Sequence, residues 1–236
     1  MKKIVILLSG LLLFSNLFAQ QINDANAIKV DVKDFYAINV SNAFDVYLTQ
    51  GNDDAVAVSA SEQKFRDRIK VEVKDNVLYI RYENGLHFNS GKMKLKAYIS
   101  FKNISKLVVS GACDVFVLET LKADKLNINL SGASDLKGKL EVNELTVKIS
   151  GASDMKVNGK ASKLDVEASG ASDFKGFDFT TDYCDAKASG ASSVQITVDK
   201  ELSAHASGAS DVHYKGEAVI RDLKTSGASN VSRTRS

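Results

Sequence analysis

The sequence is organised around a five-residue motif that occurs seven times. Each copy reads Ser-Gly-Ala, then a variable residue, then Asp, Ser or Asn, and the copies begin at Ser110, Ser131, Ser150, Ser169, Ser189, Ser207 and Ser226. Successive starts are 21, 19, 19, 20, 18 and 19 residues apart. A motif that returns at a nearly constant spacing is typical of proteins built from stacked structural repeats. The chain is therefore restricted to folds in which each unit packs against the copies before and after it.

Each unit also carries the pattern of β-strands with one buried face. When the motif serine is numbered zero, positions −5, −3 and −1 are mostly apolar, as in Leu145, Val147 and Ile149, and polar residues lie between them. Position +5 is apolar in all seven copies: Val115, Leu136, Met155, Phe174, Val194, Val212 and Val231. An alternation with a period of two indicates a strand that is buried on one side. Each unit therefore predicts a strand, a tight corner of small residues and a second strand, with a third short edge after it.

We predict an all-β fold, a right-handed parallel β-helix or solenoid with coils of about 19 residues over residues 106–236. Nineteen extended residues span roughly 60 Å, which suits one small coil. Glycine at the corner has access to backbone conformations that are closed to other residues and leaves room for the copies above and below. The predicted corner ladder consists of Gly111, Gly132, Gly151, Gly170, Gly190, Gly208 and Gly227.

Residues 20–105 are less regular, and we interpret them as a β-rich lobe that caps the N-terminal end of the solenoid. The segment Ser41–Val46 matches the motif except that Asn42 replaces glycine, so we expect a divergent corner placed apart from the main array. Asn is the next most suitable residue for such a backbone conformation. Residues 61–68 predict one short helix, with Ser61 as its N-cap.

Residues 1–19 have the features of a secretory signal peptide. Lys2 and Lys3 precede a short apolar run that ends at Ala19. We therefore expect export to the periplasm, the outer-membrane surface or the extracellular space. Without these two lysines the 31 basic residues become 29 and equal the 29 acidic ones. A neutral chain gives no electrostatic reason to expect nucleic acid or an anionic membrane as a partner.

A column of aspartates at position +4 is the candidate surface ladder. It comprises Asp114, Asp135, Asp154, Asp173 and Asp211. Stacked carboxylates repel one another, so a compensating charge is required. Calcium could supply it, but Lys137, Lys156 and Lys175 at position +6 accompany Asp in the middle coils. We favour a structural ladder that is balanced by these lysines and needs no metal or other cofactor, with calcium as the alternative.

The cysteines and histidines are expected to be structural or solvent-facing. Cys113 and Cys184 are 71 residues apart, which is several coils and roughly 18 Å. A disulfide requires Cα atoms within about 7 Å, so we predict that both thiols stay reduced within one chain. The three histidines, His87, His205 and His213, are too scattered for a zinc site.

A signal peptide, a β-rich lobe and the repeated motif together resemble the putative auto-transporter adhesin family with a head GIN domain. The residues that carry the resemblance are Ser41–Val46, Gly51 and the seven motif copies. The resemblance implies a β-helical protein of the cell envelope or surface. The coils are uniform and lack the long loops on which rigid scaffolds usually carry catalytic residues.

We therefore expect a non-catalytic, adhesin-like module for surface binding or assembly. Its partner would be a glycan or a protein, and formation of a homo-oligomer remains open. The absence of Trp argues against a carbohydrate platform built of aromatic rings. The alternatives are a polysaccharide-active β-helix enzyme and a calcium-stabilised structural rod.

Overall fold

The computed structural model describes residues 24–32, 34–83 and 93–235. The predicted signal peptide and His87 lie outside these residues. The described elements are β1 (Ile28–Val30), β2 (Ala37–Asn42), β3 (Phe44–Gln50), β4 (Ala55–Ser59), α1 (Gln63–Arg66), β5 (Ile69–Lys74), β6 (Val77–Tyr82), β7 (Leu95–Phe101), β8 (Lys106–Gly111), β9 (Asp114–Leu130), β10 (Asp135–Ile149), β11 (Asp154–Ala168), β12 (Asp173–Ala188), β13 (Ser193–Gly208), β14 (Asp211–Lys215), β15 (Val219–Gly227) and β16 (Asn230–Arg233). The all-β prediction is thus confirmed.

The repeat units stack in parallel and in register. Asp135 in β10 pairs with Asp154 in β11, and Leu145 pairs with Leu164. The result is a β-solenoid of about seven turns with a spacing of about 19 residues, as predicted. The strands run along most of each coil, since β10 continues from Asp135 to Ile149 as one strand. The pairing of β10 with β9 shifts its register between Lys137 and Lys139, and similar shifts interrupt the pairing of β12 with β11 and with β13.

The core consists of the apolar positions that the alternation predicts. Leu145, Val147 and Ile149 are each at most 1% exposed. Farther along the solenoid the residues before the corner become alanine, as at Ala168 and Ala188, and large rings such as that of Phe174 fill the space. Pairing small residues with large ones keeps a stacked core densely packed.

The corners show why glycine recurs. All seven motif glycines have φ angles between 76° and 93°, a region that residues with a side chain rarely adopt. A Cβ atom added to Gly151 would collide with the carbonyl oxygen of Gly132 and lie 3.0 Å from its nitrogen. The corner backbone is also bonded from coil to coil, since Ala152 N–H donates to the Gly132 carbonyl at 2.7 Å.

A ladder of buried serines follows five of the seven corners, and the repeat pattern alone did not predict it. These serines occupy the variable motif position and are at most 3% exposed: Ser134, Ser153, Ser172, Ser192 and Ser210. Ser192 Oγ accepts the N–H of Ser189 at 3.0 Å and lies 2.9 Å and 3.1 Å from the carbonyl oxygens of Ser189 and Ala168. The hydroxyl therefore satisfies backbone groups that the tight corner removes from water.

The expectation that Ser41–Val46 lies apart from the array was wrong. Strand β2 lies between β6 and β8, and Asn42 pairs directly with Gly111. The segment is therefore an integral coil, although a later part of the chain, β6 and β7, stacks on its other side. Asn42 has a φ angle of 90° and accepts the N–H of Tyr82 through Oδ1 at 2.9 Å.

Antiparallel strands lie at the N-terminal end of this stack. Strand β4 pairs with β7, β1 pairs with β4, and β5 pairs with β6, all antiparallel. The short helix α1 begins later than expected, because its N-cap is Glu62 and not Ser61. Ser61 instead donates its N–H to the Met93 carbonyl at 2.9 Å. Among the described residues, no helix is long and apolar enough to cross a membrane.

Candidate functional site

The predicted aspartate column lies on one outer face of the solenoid. Its members are aligned by the strand register, and Asp45 of β3 pairs with Asp114 at the start of the column. Lys175 Nζ lies 2.6 Å from Asp154 Oδ2 and 3.2 Å from Asp173 Oδ2, so it links two coils. The hydrogen bond to Asp154 raises the pKa of Lys175.

The expected charge balance by three lysines is only partly present. Within the described part of the chain, Lys137 and Lys156 form no ion pair. Nor do the described residues contain a cluster of three or more His, Cys, Asp or Glu side chains that could hold a metal ion. Calcium takes six to eight oxygen ligands, whereas this column offers one carboxylate per coil and Lys175 already binds two of them. The residues present therefore do not fit calcium.

Replacing Asp45 by asparagine should stabilise the protein in a pH-dependent way. Its burial, together with the neighbouring charge of Asp114, raises the pKa of Asp45 above its ordinary value of 3.8. A raised pKa means that the ionised carboxylate destabilises the folded state at pH 7, and that this cost disappears below the ordinary value. We expect Asp45→Asn to raise the melting temperature by about 1–3 °C at pH 7 and to leave it unchanged near pH 3.

Asp211→Asn is the matched control for this prediction. Asp211 occupies the same column between Ser193 and Asn230, so it has no stacked carboxylate beside it. Thermal melts at pH 7 should show no comparable gain for this variant. An equal gain for both variants, or a gain for Asp45→Asn that persists near pH 3, would contradict the proposed cause.

An aromatic stack continues the +6 column towards the N-terminus, and the sequence analysis missed it. The rings of Tyr98 and Tyr47 are 5.1 Å apart and those of Tyr47 and Phe116 are 5.5 Å apart, with interplanar angles of 14° and 20°. The sequence signal is the aromatic residue at +6 where later coils have lysine. The rings cover each other's faces, so the stack stabilises three coils and does not offer an open platform to a ligand.

A shallow depression lies on the other outer face, formed by residues that precede the corners. Its volume is about 140 Å³, and it is lined by Lys163, Tyr183, Cys184, Asp185, Glu201, Ser203 and Arg221. Tyr183 is 44% exposed, so much of this residue is accessible to a partner. Lys163, Tyr183 and Glu201 are brought together by the register of β11, β12 and β13. Sequence periodicity placed them on the wet face but gave no reason to single them out.

The depression combines charged groups of both signs with the exposed ring of Tyr183. Arg221 Nη2 donates to Glu201 Oε1 at 2.5 Å, and this hydrogen bond lowers the pKa of Glu201. Lys200 Nζ lies 5.6 Å from the centre of the Tyr183 ring. Asp185 Oδ1 is buried and forms an ion pair with Lys187 Nζ at 3.4 Å, although the two atoms lack the geometry of a hydrogen bond.

The cysteines and the described histidines do not form a reactive centre together. Cys113 and Cys184 are both free and buried. Burial raises the pKa of Cys113 to about 11 and that of Cys184 further, so neither is activated as a thiolate. His205 Nε2 lies 2.9 Å from Asp222 Oδ2, whereas His213 Nδ1 lies 2.9 Å from Ser232 Oγ. Each histidine thus has its own partner.

Comparisons with known proteins place this architecture among bacterial relatives. The family model described as putative auto-transporter adhesin, head GIN domain matches residues 34–218. A putative adhesin from Bacteroides fragilis has a similar crystal structure, with 20% identity, a TM-score of 0.80 and coverage of 88% of this chain and 96% of that one. The crystal structure of a putative adhesin from Parabacteroides merdae is also similar, with 19% identity, a TM-score of 0.72 and coverage of 89% of this chain and 95% of that one.

A third solved structure has a different description. It is a putative lipid binding protein from Parabacteroides distasonis, with 16% identity, a TM-score of 0.69 and coverage of 89% of this chain and 96% of that one. Comparison of the sequence with curated proteins finds no match. At these identities the solved structures show a shared fold.

Proposed function

The chain belongs to the putative auto-transporter adhesin family with a head GIN domain, and on that premise we propose that it is a non-catalytic, exported protein of the cell envelope that binds a protein ligand. The family name suggests a surface or envelope location and the binding of a surface ligand. The features of a secretory signal peptide at residues 1–19 support export. The depression around Tyr183 is the proposed binding site.

The observation that carries this proposal is the exposed ring of Tyr183 beside the guanidinium of Arg221 in a concave part of the surface. Tyr and Arg are the side chains that, with Trp, dominate the binding energy of protein interfaces. Around them lie Lys163, Asp185 and Glu201, which provide the polar rim that such interfaces have. A volume of about 140 Å³ accommodates one inserted side chain of a partner that lies across the face.

The same geometry disfavours the enzyme alternative. Pockets that enclose a drug-sized ligand are typically about 300–1,000 Å³, so this depression is small and shallow by comparison. Glycoside hydrolysis also needs a carboxylic acid whose pKa is raised so that it can donate a proton. Glu201 has the opposite property, because Arg221 lowers its pKa. The depression therefore suits a contact better than a proton transfer.

Replacement of Tyr183 tests the proposal directly. Residues 20–236 would be assayed by surface plasmon resonance against purified extracellular-matrix proteins and, in parallel, on a glycan array. We expect binding to at least one protein, and Tyr183→Ala should weaken it by about tenfold or more, since a buried aromatic contact at an interface is worth about 2 kcal/mol. Tyr36→Ala is the matched control, because Tyr36 is 57% exposed and does not line the depression.

Three outcomes would count against this function. Binding to glycans alone would show that the ligand class is wrong. Equal losses for the Tyr183 and Tyr36 variants would show that the depression is not the site. Recovery of a shortened ligand after incubation would favour the polysaccharide-active enzyme instead.

A further inference from the structure

The C-terminal end of the solenoid is an open sheet edge. In the described part of the chain, β15 pairs with β13 and β16 pairs with β14, and neither strand has a neighbour on its other side. Alternate residues of a strand direct their backbone groups to opposite sides, so about half of those in β15 face this edge. An unpaired edge of this kind is a template for another strand.

Apolar surface is exposed at the same end. Leu223 of β15 is in register with Ala204, which is fully buried one coil earlier, yet Leu223 is 46% exposed. Val219 at the start of β15 is 61% exposed. Terminal coils of solenoids usually present a polar outer surface. Here the core column continues to the last coil, and no strand of the described residues packs over it.

We propose that this edge pairs with the same edge of a second copy of the chain, with β15 antiparallel to the partner's β15 about a two-fold axis at Leu223. In this register Leu223 lies opposite the partner's Leu223. Asp222 lies opposite the partner's Lys224, and Lys224 lies opposite the partner's Asp222. Residues directly opposite in an antiparallel pair share one face, so these charges meet on the outer surface.

Charge complementarity favours a second copy of the chain as the partner of β15 and also fixes the register of the pairing. Asp222 and Lys224 are 44% and 68% exposed at their side chains, and their charged groups lie 2.7 Å apart within one chain. Moving the two-fold axis by one residue, to Asp222 or to Lys224, would place Asp222 against Asp222 or Lys224 against Lys224. Like charges directly opposite are destabilising. The sequence of this strand is thus complementary to itself in one register.

The symmetry of the pairing limits its size. A two-fold contact uses the same surface on both copies and leaves none free, so it closes as a dimer. The opposite end of each solenoid presents different edge strands, β1 and β5, which take no part in this two-fold contact. We therefore expect a dimer and not an open fibre.

Charge reversal provides the test. Analytical ultracentrifugation of residues 20–236 between about 1 and 100 µM should show a monomer–dimer equilibrium. Asp222→Lys and Lys224→Asp should each weaken dimerisation by about tenfold or more, because each places like charges opposite each other. An equimolar mixture of the two single variants should form a heterodimer, and the double variant Asp222→Lys/Lys224→Asp should dimerise again. Lys125→Glu is the control, since Lys125 lies far from this edge in an outward ion pair with Glu144.

The restored pairing separates the proposal from a loss of folding. Thermal melts should show that both single variants remain folded. A wild-type monomer across the whole range would overturn the proposal, as would assemblies larger than a dimer. Failure of both the mixture and the double variant to dimerise would also overturn it, because the charges would then not face one another.

Discussion

Replacing Gly151 by valine should destabilise the protein by about 3 kcal/mol or more. Gly151 has a φ angle of 82°, and a left-handed backbone costs a residue with a side chain about 1–2 kcal/mol. The added Cβ would also collide with the Gly132 carbonyl, and overpacking of this kind typically costs about 1–3 kcal/mol. That carbonyl accepts the Ala152 N–H, so relief of the collision would break a bond between coils.

Lys148→Val is the matched control for this variant. Lys148 lies on the outer face of β10, three residues before Gly151, and its ion pair with Glu167 is solvent-exposed. Exposed ion pairs are worth about 0–1 kcal/mol, and valine is a good strand residue. The free energy of unfolding should therefore change by no more than about 1 kcal/mol. Urea melts of the two variants decide the matter. Equal stabilities would show that the corner does not require glycine.

Replacing Ser192 by alanine should cost about 1–3 kcal/mol, because its buried hydroxyl accepts one hydrogen bond and donates another, each worth about 0.5–1.5 kcal/mol. Ser192 is 3% exposed. Its hydroxyl accepts the Ser189 N–H and lies within hydrogen-bond distance of two carbonyl oxygens from adjacent coils. Alanine removes the hydrogen bonds of the hydroxyl, while the Ser189 N–H keeps the Ala168 carbonyl as its partner at 2.9 Å.

The adjacent residue supplies the control. Ser193 occupies the aspartate column and is partly exposed, so Ser193→Ala should change stability by no more than about 0.5 kcal/mol. Urea melts of both variants in parallel would measure the difference. If Ser192→Ala were as harmless as Ser193→Ala, the buried hydroxyl ladder would not be a stabilising feature of the corner.

The candidate sites could be predicted only in part. The aspartate column follows from the repeat, because equal motif positions must align in a stack of coils. Its charge balance does not, since Lys175 reaches two aspartates while Lys137 and Lys156 form no ion pair in the described chain. The direction of a long side chain depends on its surroundings and not on its place in the motif. The depression was missed for a related reason, because Tyr183 and Arg221 are 38 residues apart and belong to different coils.

The sequence by itself determined the strands, the spacing of the coils and the corner glycines. These features depend on interactions that repeat locally, namely the alternation of apolar side chains and the small residues at each corner. Only the tertiary structure decided the position of the coil that contains Asn42, which lies between strands from later parts of the chain.

The tertiary structure also explains why the corner at Asn42 tolerates a side chain. A Cβ at each motif glycine would point at the corner of the preceding coil. At Asn42 the neighbouring strand on that side is β6, and its pairing with β2 ends at Val40 opposite Ile80. Beyond that point the side chain of Asn42 has space, and it accepts the Tyr82 N–H. The order in which distant segments stack, and the space that this order leaves, depend on contacts between parts of the chain that local patterns do not encode.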